Sequence, residues 1–205
     1  MAEVGDILDG TYRLERLIGQ GGWSTVYEGV RLETGERIAI KILNDELADD
    51  PTALLRFTEE ARAAASIQHQ NIIRVHEVRK TDPEGAYLVM ELLSGESLGD
   101  RLRESESLVV GFAAYLTCQV LSALDAAHAK GIIHRDLKPD NIYLVPTQGL
   151  FPQVKLLDFG VSKILSPYRL GLRLTRSGSV VGTPHYMAPE QAAGKRGLDH
   201  RIDIY

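Results

Sequence analysis

The segment His134-Arg135-Asp136-Leu137-Lys138-Pro139-Asp140-Asn141 runs straight into an apolar stretch, Ile142 to Val145. A second apolar stretch, Val154 to Leu157, ends at Asp158-Phe159-Gly160. Two acids and an amide are thereby carried beside short apolar strands. A lone Asp or Asn in a loop ordinarily caps that loop and does nothing more. Here the grouping suits a different use. A positioned carboxylate can accept a proton, and hard oxygen atoms can ligate Mg²⁺.

Upstream chemistry points the same way. Tyr12 to Ile18 reads as a strand, Gly19-Gln20-Gly21-Gly22 as a tight turn, and Thr25 to Leu32 as a second strand. A glycine turn between two strands, rather than before a helix, argues against a dinucleotide fold and a Walker-type loop. It suits a hairpin whose exposed amides approach phosphates, although glycines more often serve only the turn. Trp23 sits at its tip, placed either to cover phosphates or to pack locally. Glu33-Thr34-Gly35 closes a hairpin into a third strand, Arg37 to Leu43, in which Lys41 follows Ile38, Ala39 and Ile40. A lysine among apolar residues either snorkels to the surface or meets an anion. Pro51 to Ile67 reads as a helix, with Phe57, Ala61, Ala64 and Ala65 at helical spacing. It offers two acidic partners for Lys41. Glu59 lies three residues from Arg56 and Arg62 and suits a solvated ion-pair face. Glu60 borders the apolar stripe and is the better candidate.

Two further strands, Ile72 to Arg79 and Tyr87 to Glu91, are joined through Asp82-Pro83-Glu84-Gly85. That makes a small lobe of five strands and one helix. Beyond it the pattern turns helical. Ser97 with Asp100 predicts a capping box before a short helix, and Phe112 to Lys130 a longer one stopped near Gly131. Pro146 to Pro152 is a surface connection without assignable chemistry. From 158 to 190 periodicity is weak and Ser, Thr, Gly and Arg are frequent; a loop of that length is usually functional or disordered.

Composition excludes several classes. Across 205 residues the formal net charge is −5, so no basic excess marks a nucleic-acid footprint. The single cysteine, Cys118, excludes an internal disulfide and fits a reducing compartment. Its helical neighbours predict a buried thiol. The six histidines show no paired ligand spacing, which argues against zinc. Glu3, Asp6 and Asp9 are the opposite of a signal peptide's basic start, and no window approaches a run of about 18 uncharged apolar residues. The expected location is cytoplasmic, with no membrane contact.

These pieces, with Ala188-Pro189-Glu190 downstream, resemble the protein kinase family in identity and order. The Leu137-Lys138-Pro139-Asp140-Asn141 form and Gly182-Thr183-Pro184 resemble the serine/threonine type, and the general texture is most similar to bacterial kinases of eukaryotic (Hanks) type. The resemblance implies an α+β, bilobal, protein-kinase-like fold: lead-in 1–11, sheet lobe 12–93, and the first part of a mainly helical lobe 94–205, with an activation segment at 158–190. It implies ATP and Mg²⁺. It would place the nucleotide against Ile18, Gly19, Gln20, Gly21, Gly22 and Lys41, the last paired with Glu60. Ser24 stands where the pattern has a third glycine. An adenine slot would have Val26 and Ala39 as roof, Met90 at the back, and the backbone of Glu91 to Leu93 as hydrogen-bonding edge. Its floor falls on Tyr143, a larger residue than the family usually carries there. Asp136 would be the base, Lys138 would offset γ-phosphate charge, Asn141 and Asp158 would hold the metal, and Thr183 would help seat the acceptor hydroxyl. His134 would pack under Phe159, and Asp203 would brace the backbone at His134 and Arg135.

Protein serines and threonines are the expected substrates, with self-association for phosphorylation in trans. Arg135 beside the base calls for an anion, which phosphate on Thr175, Ser177 or Ser179 would supply. The family's larger lobe normally continues past Tyr205, so a marginally folded, weakly active piece is expected. Two alternatives follow: a nucleotide-binding or scaffold module without strong catalysis, favoured only by that shortening, and a small-molecule phosphotransferase, disfavoured by the Ala188-Pro189-Glu190 segment.

Overall fold

The structure, a computed structural model, describes residues 2–22, 24–44, 51–81, 85–105, 107–159, 184–195 and 197–205. The side chains at 51–53, 56, 59, 60, 63 and 81 fall outside that set. So do the expectations for Trp23, the Asp82-Pro83-Glu84 turn, Gly160, Thr175, Ser177, Ser179, Gly182 and Thr183. The chain divides into two compact units, Met1–Gln68 with Ile73–Ser94, and His69–Ile72 with Gly95–Tyr205.

In the first unit, six described strands form one antiparallel sheet in the order β1-β2-β3-β4-β6-β5: β1 (Ile7–Leu8), β2 (Tyr12–Gln20), β3 (Ser24–Arg31), β4 (Arg37–Leu43), β5 (Val75–Thr81) and β6 (Gly85–Glu91). Helix α1 (Pro51–Ala65) buries Phe57, Ala61 and Ala64, the stripe its spacing predicts. Strand β4 is apolar on both faces because both are covered. Ile38, Ile40 and Ile42 join Leu8, Tyr12, Leu14, Tyr27, Tyr87 and Val89 in one cluster. Each fully buried isoleucine there contributes about 1.5–3 kcal/mol. The alternate positions, Ala39 and Lys41, face the other way, as a period of two requires.

Two differences from the sequence expectation have clear causes. The lead-in 1–11 contains β1, whose Ile7 and Leu8 pair with Arg13 and Tyr12. Two residues carry no readable period. The missed signal was Asp9-Gly10, both at positive φ (48° and 61°), as a type I′ hairpin turn demands. The second is Ile72, which does not start β5. It belongs to the second unit, where it bridges Leu156 beside Asn71, whose Nδ2 donates to Gln119 Oε1 and the Val154 carbonyl, both at 2.8 Å.

The second unit holds β7 (Glu96–Ser97), α2 (Leu98–Ser105), α3 (Val110–His128), β8 (Ile142–Val145), β9 (Gln153–Leu156) and α4 (Pro189–Ala192), with β7, β8 and β9 forming an antiparallel sheet. The capping box forms as expected: Asp100 N donates to Ser97 Oγ at 3.0 Å, and Ser97 N to Asp100 Oδ2 at 3.3 Å. Helix α3 ends in a Schellman arrangement, with Gly131 at φ 72° and the Ile132 amide reaching back to the Ala127 carbonyl at 3.0 Å. Leu116, Val120, Ala123, Leu124 and Ala127 form its buried stripe. Cys118 is exposed, which corrects the buried-thiol expectation: it lies two residues, or about 200°, round the helix from Leu116. By length and composition α3 would also pass for a membrane span, which the sequence expectation did not foresee. Its buried stripe and the Gln119 hydrogen bonds pack one face of it into this unit.

Candidate active site

In the first unit, the residues singled out in the sequence lie on one face of the sheet. Antiparallel register sets Gly19 opposite Val26, Val26 opposite Lys41, and Lys41 opposite Leu88, a single row across four strands. The adjoining row runs Arg16, Glu28, Ala39, Met90. Residues that strand alternation alone leaves scattered thus share one surface. Ile18 sits at an irregularity between Leu17 and Gly19, Gln20 pairs with Thr25, and Glu91 ends β6 ahead of Leu93.

Lys41 is buried, at 7 % exposure. The snorkelling alternative therefore fails, because an ammonium kept this far from water needs a partner within the protein or a bound anion. Glu60, its proposed partner, has its side chain outside the described residues. The glycine turn is closed by Gly21 N donating to the Ser24 carbonyl at 2.9 Å. Gly19, Gly21 and Gly22 are not at positive φ. A Cβ added at Gly19 or Gly22 would meet nothing within 4 Å. The turn does not demand those glycines for its own backbone, and they leave clearance beside Val26 and Lys41. Asn44, which the sequence did not single out, ties the turn down: its Nδ2 donates to the Gly21 carbonyl and its Oδ1 accepts from Thr25 Oγ1, both at 3.1 Å. At the other end of the face, Arg16 and Arg37 both bind Glu28 and hold its pKa below the usual carboxylate range, Arg37 contributing most.

The second unit assembles the acids. Lys138 Nζ lies 3.4 Å from Asp136 Oδ2, and Asn141 Nδ2 donates to that same oxygen at 3.2 Å and to the Asp136 carbonyl at 2.8 Å. Asn141 is buried in the 3₁₀ turn Pro139–Asn141, which packs against α2 at Gly99. With its amide nitrogen given to Asp136, Asn141 keeps Oδ1 as the atom that could ligate a cation. Leu157 N donates to the Asn141 carbonyl at 2.9 Å, which sets Asp158 next to the asparagine. Asp158 sits at φ 54°, a conformation that bends its residue out of the strand direction.

His134 links the two acids. Its ring is fully buried and lies 4.7 Å, centroid to centroid, from Phe159, as the resemblance implied. Desolvation holds its pKa below 6.5, so the ring is neutral near pH 7. Nε2 lies 2.9 Å from the Leu157 carbonyl, an acceptor, so Nε2 carries the proton. Nδ1 then accepts from Asp136 N at 3.3 Å. Asp203 braces the same turn, with Oδ2 accepting from His134 N and Oδ1 from Arg135 N, both at 2.8 Å. Tyr143, the floor residue, is tethered by its hydroxyl donating to the Gly95 carbonyl at 2.8 Å. Gly95 is obligatory there: at φ 130°, an added Cβ would fall 2.1 Å from the Leu144 carbonyl oxygen.

The donor set fits Mg²⁺. One carboxylate and one amide oxygen are hard ligands, and Mg²⁺ in phosphate sites keeps few protein ligands. No larger cluster of His, Cys, Asp and Glu exists among the described residues.

A family model described as "Protein kinase domain" matches residues 12–205. Among curated proteins, the serine/threonine-protein kinase Pkn1 of Myxococcus xanthus is 44 % identical over 196 residues, 96 % of this chain and 27 % of that protein. PknA of Mycobacterium tuberculosis is 42 % identical over 195 residues, 93 % of this chain and 43 % of its own length. The chain thus spans less than half of these curated relatives. A crystal structure of the Mycobacterium tuberculosis PknI kinase domain superposes with a TM-score of 0.76 at 26 % identity, covering 100 % of this chain and 72 % of that one.

Proposed function

This chain belongs to the protein kinase domain family, in the company of bacterial Hanks-type enzymes, and from that premise we propose that it transfers the γ-phosphoryl group of ATP to serine or threonine hydroxyls of proteins. The observation that carries the reading is the neutral His134 ring, bonded at once to the base-bearing turn and to the carbonyl preceding Asp158. It locks a proton acceptor and a metal ligand into one rigid piece, which in-line transfer requires.

Asp136 takes the proton of the acceptor hydroxyl as the oxygen attacks phosphorus. Such assistance is typically worth ~10²–10⁴-fold. Lys138 offsets charge on the transferred group, and Thr183 seats the acceptor. Asn141 and Asp158 would hold Mg²⁺, which would supply neutralisation of phosphate charge. Lys41 pairs with the α- and β-phosphates and with Glu60. Val26, Ala39, Met90, Tyr143 and the Glu91–Leu93 backbone receive adenine, and Ile18 to Gly22 cover the phosphates. ADP leaves.

Activation proceeds by phosphorylation of the 158–190 loop at Thr175, Ser177 or Ser179, in trans between copies. Buried Arg135 Nε has no hydrogen-bond partner among the described residues, and a phosphate is the anion that would satisfy it.

Radiolabelled ATP with a generic protein acceptor is the test. The native chain should incorporate label, and Asp136→Asn and Lys41→Met should lose about 10²-fold or more. Equal incorporation by all three would eliminate the assignment. Nucleotide binding without transfer by the native chain would favour the scaffold alternative.

A further inference from the structure

The two peptides that flank Arg135, just before Asp136, are gripped by residues that have no part in the chemistry above. Arg135 stands at φ 65°, a left-handed conformation that a branched or long side chain adopts only under constraint. Its N–H is held by Asp203 Oδ1 at 2.8 Å. Its carbonyl accepts from Gln191 Nε2 at 2.7 Å. That carbonyl belongs to the peptide plane whose nitrogen is that of Asp136, so Gln191 acts one bond away from the base. The Asp203 carboxylate is itself fixed. It is buried, and its Oδ2, which accepts from His134 N, also lies 2.8 Å from His128 Nε2 at the end of α3. The His128 ring packs on His200 at 5.2 Å.

We propose that Gln191 and His128 are positioning residues for Asp136, closing a two-sided clamp on Arg135: Gln191 directly on its carbonyl, His128 through Asp203 on its amide. Without the clamp the residue relaxes towards negative φ and the following peptide swings, carrying the carboxylate with it. Gln191 lies in α4, immediately after Ala188-Pro189-Glu190, so the clamp also ties the far end of the 158–190 loop to the base. A misplacement of about 1 Å at a reacting group can cost ~10²-fold.

This inference rests on the phosphotransfer reading, and the test separates the two. Gln191→Met and His128→Phe remove a donor while keeping bulk. Each should lower kcat about 10- to 100-fold with KM for ATP unchanged, because the nucleotide contacts are elsewhere. The double variant should lose less than the product of the two, since both act on the backbone of one residue, Arg135. Gln191→Glu, which sets an acceptor against a carbonyl, should do no better than Met. Independently of activity, NMR amide exchange at Arg135 and Asp136 should accelerate about 10-fold in both single variants, with Leu124 unchanged. Unchanged kcat, multiplicative losses, or exchange accelerating throughout the core would each overturn the clamp. A native chain that transfers no phosphate would sink the kinase reading, and amide exchange would still decide the clamp.

Discussion

Burial sets the state of His134 and, through it, the geometry of two acids. The unfolded chain takes up that proton near pH 6.5 and the folded one does not, because the ring's charge would go unsolvated. Its contribution to stability is therefore complete above about pH 6.5 and is lost as pH falls through the interval down to the depressed folded value. In the native chain NMR should show the His134 ring protonating only at lower pH than an exposed histidine does. Urea midpoints should fall between about pH 7 and pH 6 more steeply in native protein than in His134→Phe, which has no ring to protonate. Equal slopes would show that burial is not what governs this group. At this scale the sequence was legible where a residue was chemically out of place, as with Lys41 in an apolar strand. It was silent on Asn44, Asn71 and Gln119, whose amides look like any surface amide until the fold brings their partners near.

Elements were legible in proportion to their period and punctuation. Strand β4 and helix α1 declared themselves by alternation and by the Phe57, Ala61, Ala64 spacing. Strand β1 did not, since two residues have no period, although Asp9-Gly10 marked its turn. Cys118 was misjudged because apolar neighbours in sequence say nothing about which side of a helix is covered. Helix α2 was predicted from its cap, and the cap matters to the site, since α2 packs on the turn that carries Asn141. Ser97→Ala removes the hydroxyl that receives Asp100 N and should cost about 1 kcal/mol by chemical denaturation. Ser97→Thr should recover most of it. A loss shared equally by both would place the effect in packing rather than in the cap.

For the whole molecule, the loop phosphorylation proposed above would make activity depend on history. Phosphatase-treated protein should start slowly and accelerate, with a lag that shortens as protein concentration rises if the reaction runs between copies. Full rate from the first seconds would overturn it. The sequence by itself determined the family and the order of its motifs, because those motifs fix residue types at set spacing along short segments. The tertiary structure alone decided that Ile72 and Asn71 leave the sheet lobe for the other unit, and that Val26 and Lys41 share a row with Gly19. It alone decided that His128, through Asp203, and Gln191 converge on Arg135, the residue before Asp136. Those relations join residues tens of positions apart, and only the register of strands and the packing of helices brings such distances to zero.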